Sequence, residues 1–323
     1  MCSLVLKDTD QVSLAALPKR MAELFPTYPL TIRSTTAPEG DTNPFRPAPL
    51  PARFAKLFPT FPLAIPRPLD ESPASSLIFK VNDVPMVLLW IDRPTPRGMF
   101  DDALATQMLD RMWPDAQARL AQQRAHIVLA TFATNRPHQE AVLHATLLTL
   151  VAAALADLTA AIAVYWHDGV TITERSRFID CAKRLAETGG WPSDIWVRLR
   201  WFGPKTDGEQ LVGIVTSGLL PFVGRELEFA PAALPPYTIG LRVIGVIHYL
   251  LSNGPVLRDG HTLGITETER IRVREYDDRH RPGVPFWVMN VEELSEAPLA
   301  VFHSLLADDS ERGSEQRPWT NRH

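Results

Sequence analysis

Residues 141–166 read AVLHATLLTLVAAALADLTAAIAVYW. A run this apolar must be shielded from water along its length, because exposing apolar surface costs free energy. Lipid or protein can supply the shield. A helix that spans a bilayer needs about 20 clean apolar residues, and here His144, Asp157 and several threonines interrupt the run. It therefore reads as a buried helix passing into a buried strand, AIAVYW. Enough chain must surround that helix to close a core. A length of 323 residues suffices for a large core and for two structural lobes.

The remaining pattern supplies the surroundings. SLIFKVNDVPMVLLWI reads as two strands joined at Asn82-Asp83, a hairpin signal. A helix is expected over 101–112, started by Asp101 or Asp102, then a strand in AHIVLATFA. The long helix covers HQEAVLHATLLTLVAAALADL, and AIAVYW ends in the turn His167-Asp168-Gly169. A helix over 174–187 stops at Gly189-Gly190. The second half follows a similar order. DIWVRLRWFG, EQLVGIVTSGLL and GRELEFA read as strands, and a helix over 238–251 is closed by Asn253-Gly254-Pro255. VLRDGHTLGI, ERIRVREY and VPFWVMNVE are the last strands. Strands come in adjacent pairs instead of alternating strictly with helices. The expected fold class is α+β, with largely antiparallel sheets and packed helices, in two related lobes. The expected division is a proline-rich extension over 1–49, lobes over 50–190 and 191–305, and a polar, disordered tail over 306–323.

One segment occurs twice. LPKRMAELFPTYPLTI, residues 17–32, and LPARFAKLFPTFPLAI, residues 50–65, agree at eleven of sixteen positions. Each reads as a short amphipathic helix followed by an extended arm, since the PT-aromatic-P run forbids a longer helix. The second copy leads into SLIFKV and is expected to be integral. The first is then a tandem duplicate that docks a face of Met21, Leu24 and Phe25 on an equivalent or adjacent groove.

Composition excludes some functions. A net charge of −4 supplies no basic field for nonspecific nucleic-acid binding. Cys2 and Cys181 make no disulfide framework, and MCSLVLKDTD has no basic n-region or long apolar run. A soluble protein of the cytoplasm is expected, with Cys181 as a small core residue. No phosphate-binding loop, dinucleotide fingerprint, nucleophile elbow or standard zinc spacing occurs, so no cofactor and no bound metal are expected. His126 reads as a core histidine bonded to a carbonyl, and His248-Tyr249 as packing on an apolar helix. His167-Asp168 reads as a metal pair or an exposed turn, and Asp259 with His261 as ligands or as a tight turn capped by the aspartate. Glu226 and Glu228 alternate with Leu227 and Phe229, as on a strand with one wet face. They suit acid–base chemistry, an acidic contact to a basic partner, or cross-strand ion pairs with Arg270, Arg272 and Arg274. Most of the tryptophans, Trp166 among them, should be core, and any exposed one is a candidate binding anchor.

Several phrases together carry a resemblance. They are Trp113-Pro114-Asp115, Ala125-His126 opening a strand, Val164-Tyr165-Trp166, and Thr216, Gly218 and Leu219 ahead of Gly224, Glu226 and Glu228. His248-Tyr249-Leu250, Asn253-Gly254-Pro255-Val256 and Asp259-Gly260-His261-Thr262-Leu263-Gly264 complete the set. Over residues 51–274 the chain resembles a widespread bacterial family described as a domain of unknown function, often encoded near type VI secretion and polymorphic-toxin loci. The chain departs from it at His167, where the family has a small residue, and at His261, where it has an acidic one. The resemblance implies a cytoplasmic, non-enzymatic protein of interbacterial competition. An immunity protein that neutralises a cognate toxin is the first expectation, and an adaptor or chaperone for a type VI secretion effector the second. The expected partner is a protein, neither nucleic acid nor membrane. Trp166, His167, Asp168, Glu226, Glu228, Asp259 and His261 are the expected binding residues. A metal-dependent enzyme using the His and Asp turn residues is the alternative from another class.

Overall fold

A computed structural model of the chain describes residues 1–8, 14–28, 30–34, 75–105, 112–132, 136–159, 161–203, 205–206, 209–264, 269–277 and 279–293. The fold is α+β, with two largely antiparallel sheets in two compact units. The first unit comprises Met1–Thr134, His144–His167 and Ile172–Glu187. The second comprises Asn135–Leu143, Asp168–Thr171 and Thr188–His323.

The first sheet uses β1 (Cys2–Leu6), β2 (Ile32–Ser34), β3 (Ser75–Val81), β4 (Val84–Ile91), β5 (Ala125–Thr131), β6 (Ala161–Trp166) and β7 (Thr171–Glu174). Their order is β2-β3-β4-β5-β1-β6-β7. The β3–β4 hairpin is made where Asn82 and Asp83 adopt φ of 48° and 64°. Two positive values in succession suit the strand twist, and Asn and Asp tolerate them best. Strand β1 is the unexpected member. It pairs antiparallel with β5 on one side and β6 on the other, and all five of its residues are buried. The segment set apart as an extension therefore contributes an inner strand to the first unit. Its first repeat copy is built in too. Helix α1 (Leu17–Leu24) carries Pro18 in its first turn, where proline is tolerated, and buries Leu17 and Met21, with Phe25 buried just beyond. Its arm becomes β2, with Ile32 opposite Val81. The second copy lies outside the described residues, as does the expected disordered tail.

Two short helices, α2 (Asp101–Leu104) and α3 (Ala116–Leu120), precede and follow Trp113. The expected helix over 101–112 is described as α2, with 106–111 outside the described residues. Helix α4 (His138–Leu158) is long and apolar enough by composition to cross a membrane, yet every residue from Ala145 to Ala156 is buried. Its hydroxyls do not go unmet: Thr149 donates to the Ala145 carbonyl at 2.8 Å, and Thr159, just past the helix, to that of Leu155 at 2.7 Å. This back-bonding lets a threonine sit in an apolar interior. Asp157 is held by Arg175 at 2.9 Å and by Arg20. Helix α5 (Arg175–Thr188) buries Phe178, Ile179, Cys181, Ala182 and Leu185 and stops before Gly189, at φ 70°.

The second sheet runs β13-β14-β15-β12-β11-β8. Its strands are β8 (Arg198–Phe202), β11 (Val212–Ser217), β12 (Glu226–Ala232), β13 (Thr262–Leu263), β14 (Arg270–Tyr276) and β15 (Phe286–Glu293). Strands β9 (Lys205–Thr206) and β10 (Glu209–Gln210) form a separate two-stranded sheet. Only β12–β15 pairs parallel among these described ladders. The expected strand at DIWVRLRWFG begins instead as helix α6 (Ser193–Trp196), because the Pro192 carbonyl accepts from both Ile195 and Trp196. Helix α7 (Leu220–Val223) and helix α8 (Pro236–Asn253) complete the unit, and α8 ends at Gly254, φ 82°. Arg242 and Glu269, 5% and 0% exposed at the side chain, pair at 2.6 Å. An arginine within an otherwise apolar helix was the one sign of that buried pair in the sequence.

Candidate functional site

Register sorts the second sheet into two faces. Trp201, Ile214, Phe229, Met289 and Val273 lie side by side in successive strands. Opposed residues share a face, and α8 meets this one, since a Cβ at Gly240 would sit 3.3 Å from the Trp201 indole. The next row, Arg200, Val215, Glu228, Val288 and Arg274, faces the other way.

Glu226 and Glu228 are on this second face, but neither is wet: they are 2% and 0% exposed. Glu226 accepts from the Thr216 hydroxyl at 2.8 Å and from the backbone N–H groups of Gly218, Leu219 and Leu220 at 2.8, 3.2 and 3.1 Å. It thereby fastens the turn into α7, and its oxygens are engaged with that turn. Glu228 accepts from Arg279 at 2.5 Å and His280 at 2.7 Å. The His280 ring lies edge-on between Phe202 and Phe286. The β14–β15 connection is thus pinned onto the sheet by one buried carboxylate. The expected acidic contact surface is absent at these positions, because both faces of β12 are covered. The cross-strand pairing with Arg270, Arg272 and Arg274 is also corrected: β15 lies between β12 and β14. Arg272 instead pairs with Glu292 and holds its carboxyl below the usual carboxylate range, chiefly by hydrogen bonding. Arg274 pairs with Asp259 at 3.2 Å.

Asp259 and Gly260 do form a tight turn, with Gly260 at φ 82°. The aspartate bonds forward to the Glu275 N–H at 3.1 Å, so it ties the turn to β14. His261 Nδ1 accepts from the Arg258 N–H at 3.2 Å. In the first unit, Trp166 is 2% exposed and belongs to the core. His167 is bonded to the Ser3 hydroxyl at 2.7 Å and lies edge-on to Tyr165. Asp168 is exposed at the turn that follows. No group of three or more potential metal ligands assembles among the described residues.

What the sheet does present is an edge. Strand β8 pairs with β11 and ends the strand order, so no described strand covers its outer side. Trp201 on that strand is 37% exposed, and Tyr237 in the first turn of α8 is 53% exposed. Tyr237 precedes Gly240 by one helical turn, and the Trp201 ring rests at Gly240. On the opposite side of β8, Arg200 is exposed and has no ion-pair partner among the described residues.

Residues 215–292 match the model of a domain of unknown function, DUF4261. The protein is thus an α+β chain whose second unit carries a segment similar to that domain, from within β11 to within β15. The match includes the phrase from His248 to Gly264 and is narrower than the span over 51–274 expected from the resemblance. No curated protein and no solved structure matches the chain.

Proposed function

We propose that this chain is a non-enzymatic interaction protein that captures an extended, acidic segment of a partner protein along the outer edge of β8. The observation that supports this reading is an edge that no described strand covers, flanked by Trp201 and Tyr237. An edge strand offers unmet backbone donors and acceptors to an added strand, and flanking side chains select its sequence. Exposed tryptophan and tyrosine are the residue types that most often anchor an interface. Arg200 projects from the face opposite Trp201 and favours a carboxylate on the incoming strand. The finer reading, an immunity protein that neutralises a cognate toxin in interbacterial competition, rests on the family resemblance.

Co-expression with the toxin candidate encoded beside the chain tests both levels. A complex that forms with the unaltered chain and protects growth is the expected result. Trp201→Ala with Tyr237→Ala should weaken it by about 2 kcal/mol or more, ~30-fold, while a cooperative melting transition is retained. Failure of the unaltered chain to bind or protect overturns the immunity reading. A complex indifferent to the double substitution overturns the β8 edge as its site.

A further inference from the structure

The first unit holds a cavity of ≈ 250 Å³ lined by Lys7, Arg119, Gln122, Glu174, Arg175 and Ser176 around the buried start of β6. The ends of several elements meet there: Lys7 follows β1, Arg119 lies in the last turn of α3, and Arg175 and Ser176 open α5. Three cations and one carboxylate line it, and the Asp157 carboxylate stands behind Arg175. Arg119 is engaged with Glu174 and lies 5.5 Å over the Trp113 ring, which fixes its plane. Arg175 is anchored from behind by Asp157, through Nη2 at 2.9 Å to the carboxylate and 3.2 Å to the carbonyl. Its Nε is buried with no hydrogen-bond partner. Lys7 has no ion-pair partner among the described residues.

We propose that this cavity binds a phosphate group. Two guanidinium groups held in place by other contacts suit a tetrahedral oxyanion, which accepts from several directions at once. Lys7 adds a point charge, Ser176 a hydroxyl donor, and the start of α5 the positive end of a 14-residue helix. The cavity sits just below the ~300–1,000 Å³ of drug-sized pockets, so it has room for inorganic phosphate or the phosphate end of a small ester. Glu174 is the competing anion within the site, and binding draws Arg119 away from it.

Isothermal titration of the full chain with inorganic phosphate, and separately with a nucleoside monophosphate, tests the proposal and distinguishes the two sources. Saturable binding of either is expected. Lys7→Gln should weaken it about tenfold, the loss of one charge-assisted contact, without moving the melting temperature, because Lys7 is exposed. Glu174→Gln should tighten it, a gain that a merely structural role for this carboxylate does not produce. Absence of saturable binding of both ligands overturns the proposal, and so does binding that neither substitution alters. The outcome is independent of partner capture at β8, which lies in the other unit.

Discussion

His126 is a buried polar residue with its accounts settled locally. It is 4% exposed on β5, and Nδ1 donates to the Arg93 carbonyl at 2.8 Å. Burial holds its pKa below the ordinary 6.5, with the Arg93 charge adding to the shift and the carbonyl bond opposing it. The neutral ring is therefore favoured by folding. Its contribution is present above pH 6.5 and is lost as pH falls from there through the lowered value. His126→Gln should start less stable at about pH 7 but lose less on acidification to about pH 5 than the unaltered chain. Parallel slopes in pH-dependent melting would remove this account. The carbonyl-bonded histidine was legible from an apolar strand opening on His126. The fates of Glu226 and Glu228 were not. Alternation with Leu227 and Phe229 shows that the carboxylates share a face, but whether that face meets water depends on what lies over it. Here a turn and a distant connection do.

At the scale of the element, the backbone decides what the side chains only suggest. Gly218 has φ 112°, and a Cβ there would stand 2.2 Å from the Trp196 carbonyl oxygen. Gly224 has φ 76° with nothing within 4 Å of the same atom. Gly224→Ala should then cost about 1–2 kcal/mol, the left-handed penalty alone. Gly218→Ala must also displace backbone, and should cost at least about 3 kcal/mol. Chemical denaturation of the two variants reads the difference directly, and equal losses would show that the contact at Gly218 yields easily. The long helices α4, α5 and α8 and the β3–β4 hairpin were legible because periodicity, glycine stops and turn residues are local signals. Helix α6 was missed because four residues give no period, and the Pro192 carbonyl that organises it sends no signal in composition. Strand β1 was missed for a similar reason. CSLVL is short and stands beside a polar, proline-containing segment that draws the eye to disorder.

Across the whole molecule, the first residues prove central. Deleting residues 1–8 removes the strand between β5 and β6 and exposes both. Leu4, Val5 and Leu6 are 0–1% exposed, and each fully buried aliphatic side chain is worth about 1.5–3 kcal/mol. Their sum is comparable to the whole stability of a domain, about 5–15 kcal/mol. The truncated chain should lose cooperative melting of the first unit in circular dichroism; a retained transition would show that β1 is dispensable. The sequence alone determined the periods, the stops and the apolar run of α4, because these depend on residues within a few turns of each other. It also determined that the strands pair largely antiparallel in an α+β fold, since adjacent strands need only short connections. The tertiary structure alone decided which strand lies inside the first sheet, which carboxylates are buried and which strand ends the described second sheet. Those outcomes depend on residues far apart in sequence, such as Ser3 and His167 or Glu228 and His280, and no local pattern records what covers what.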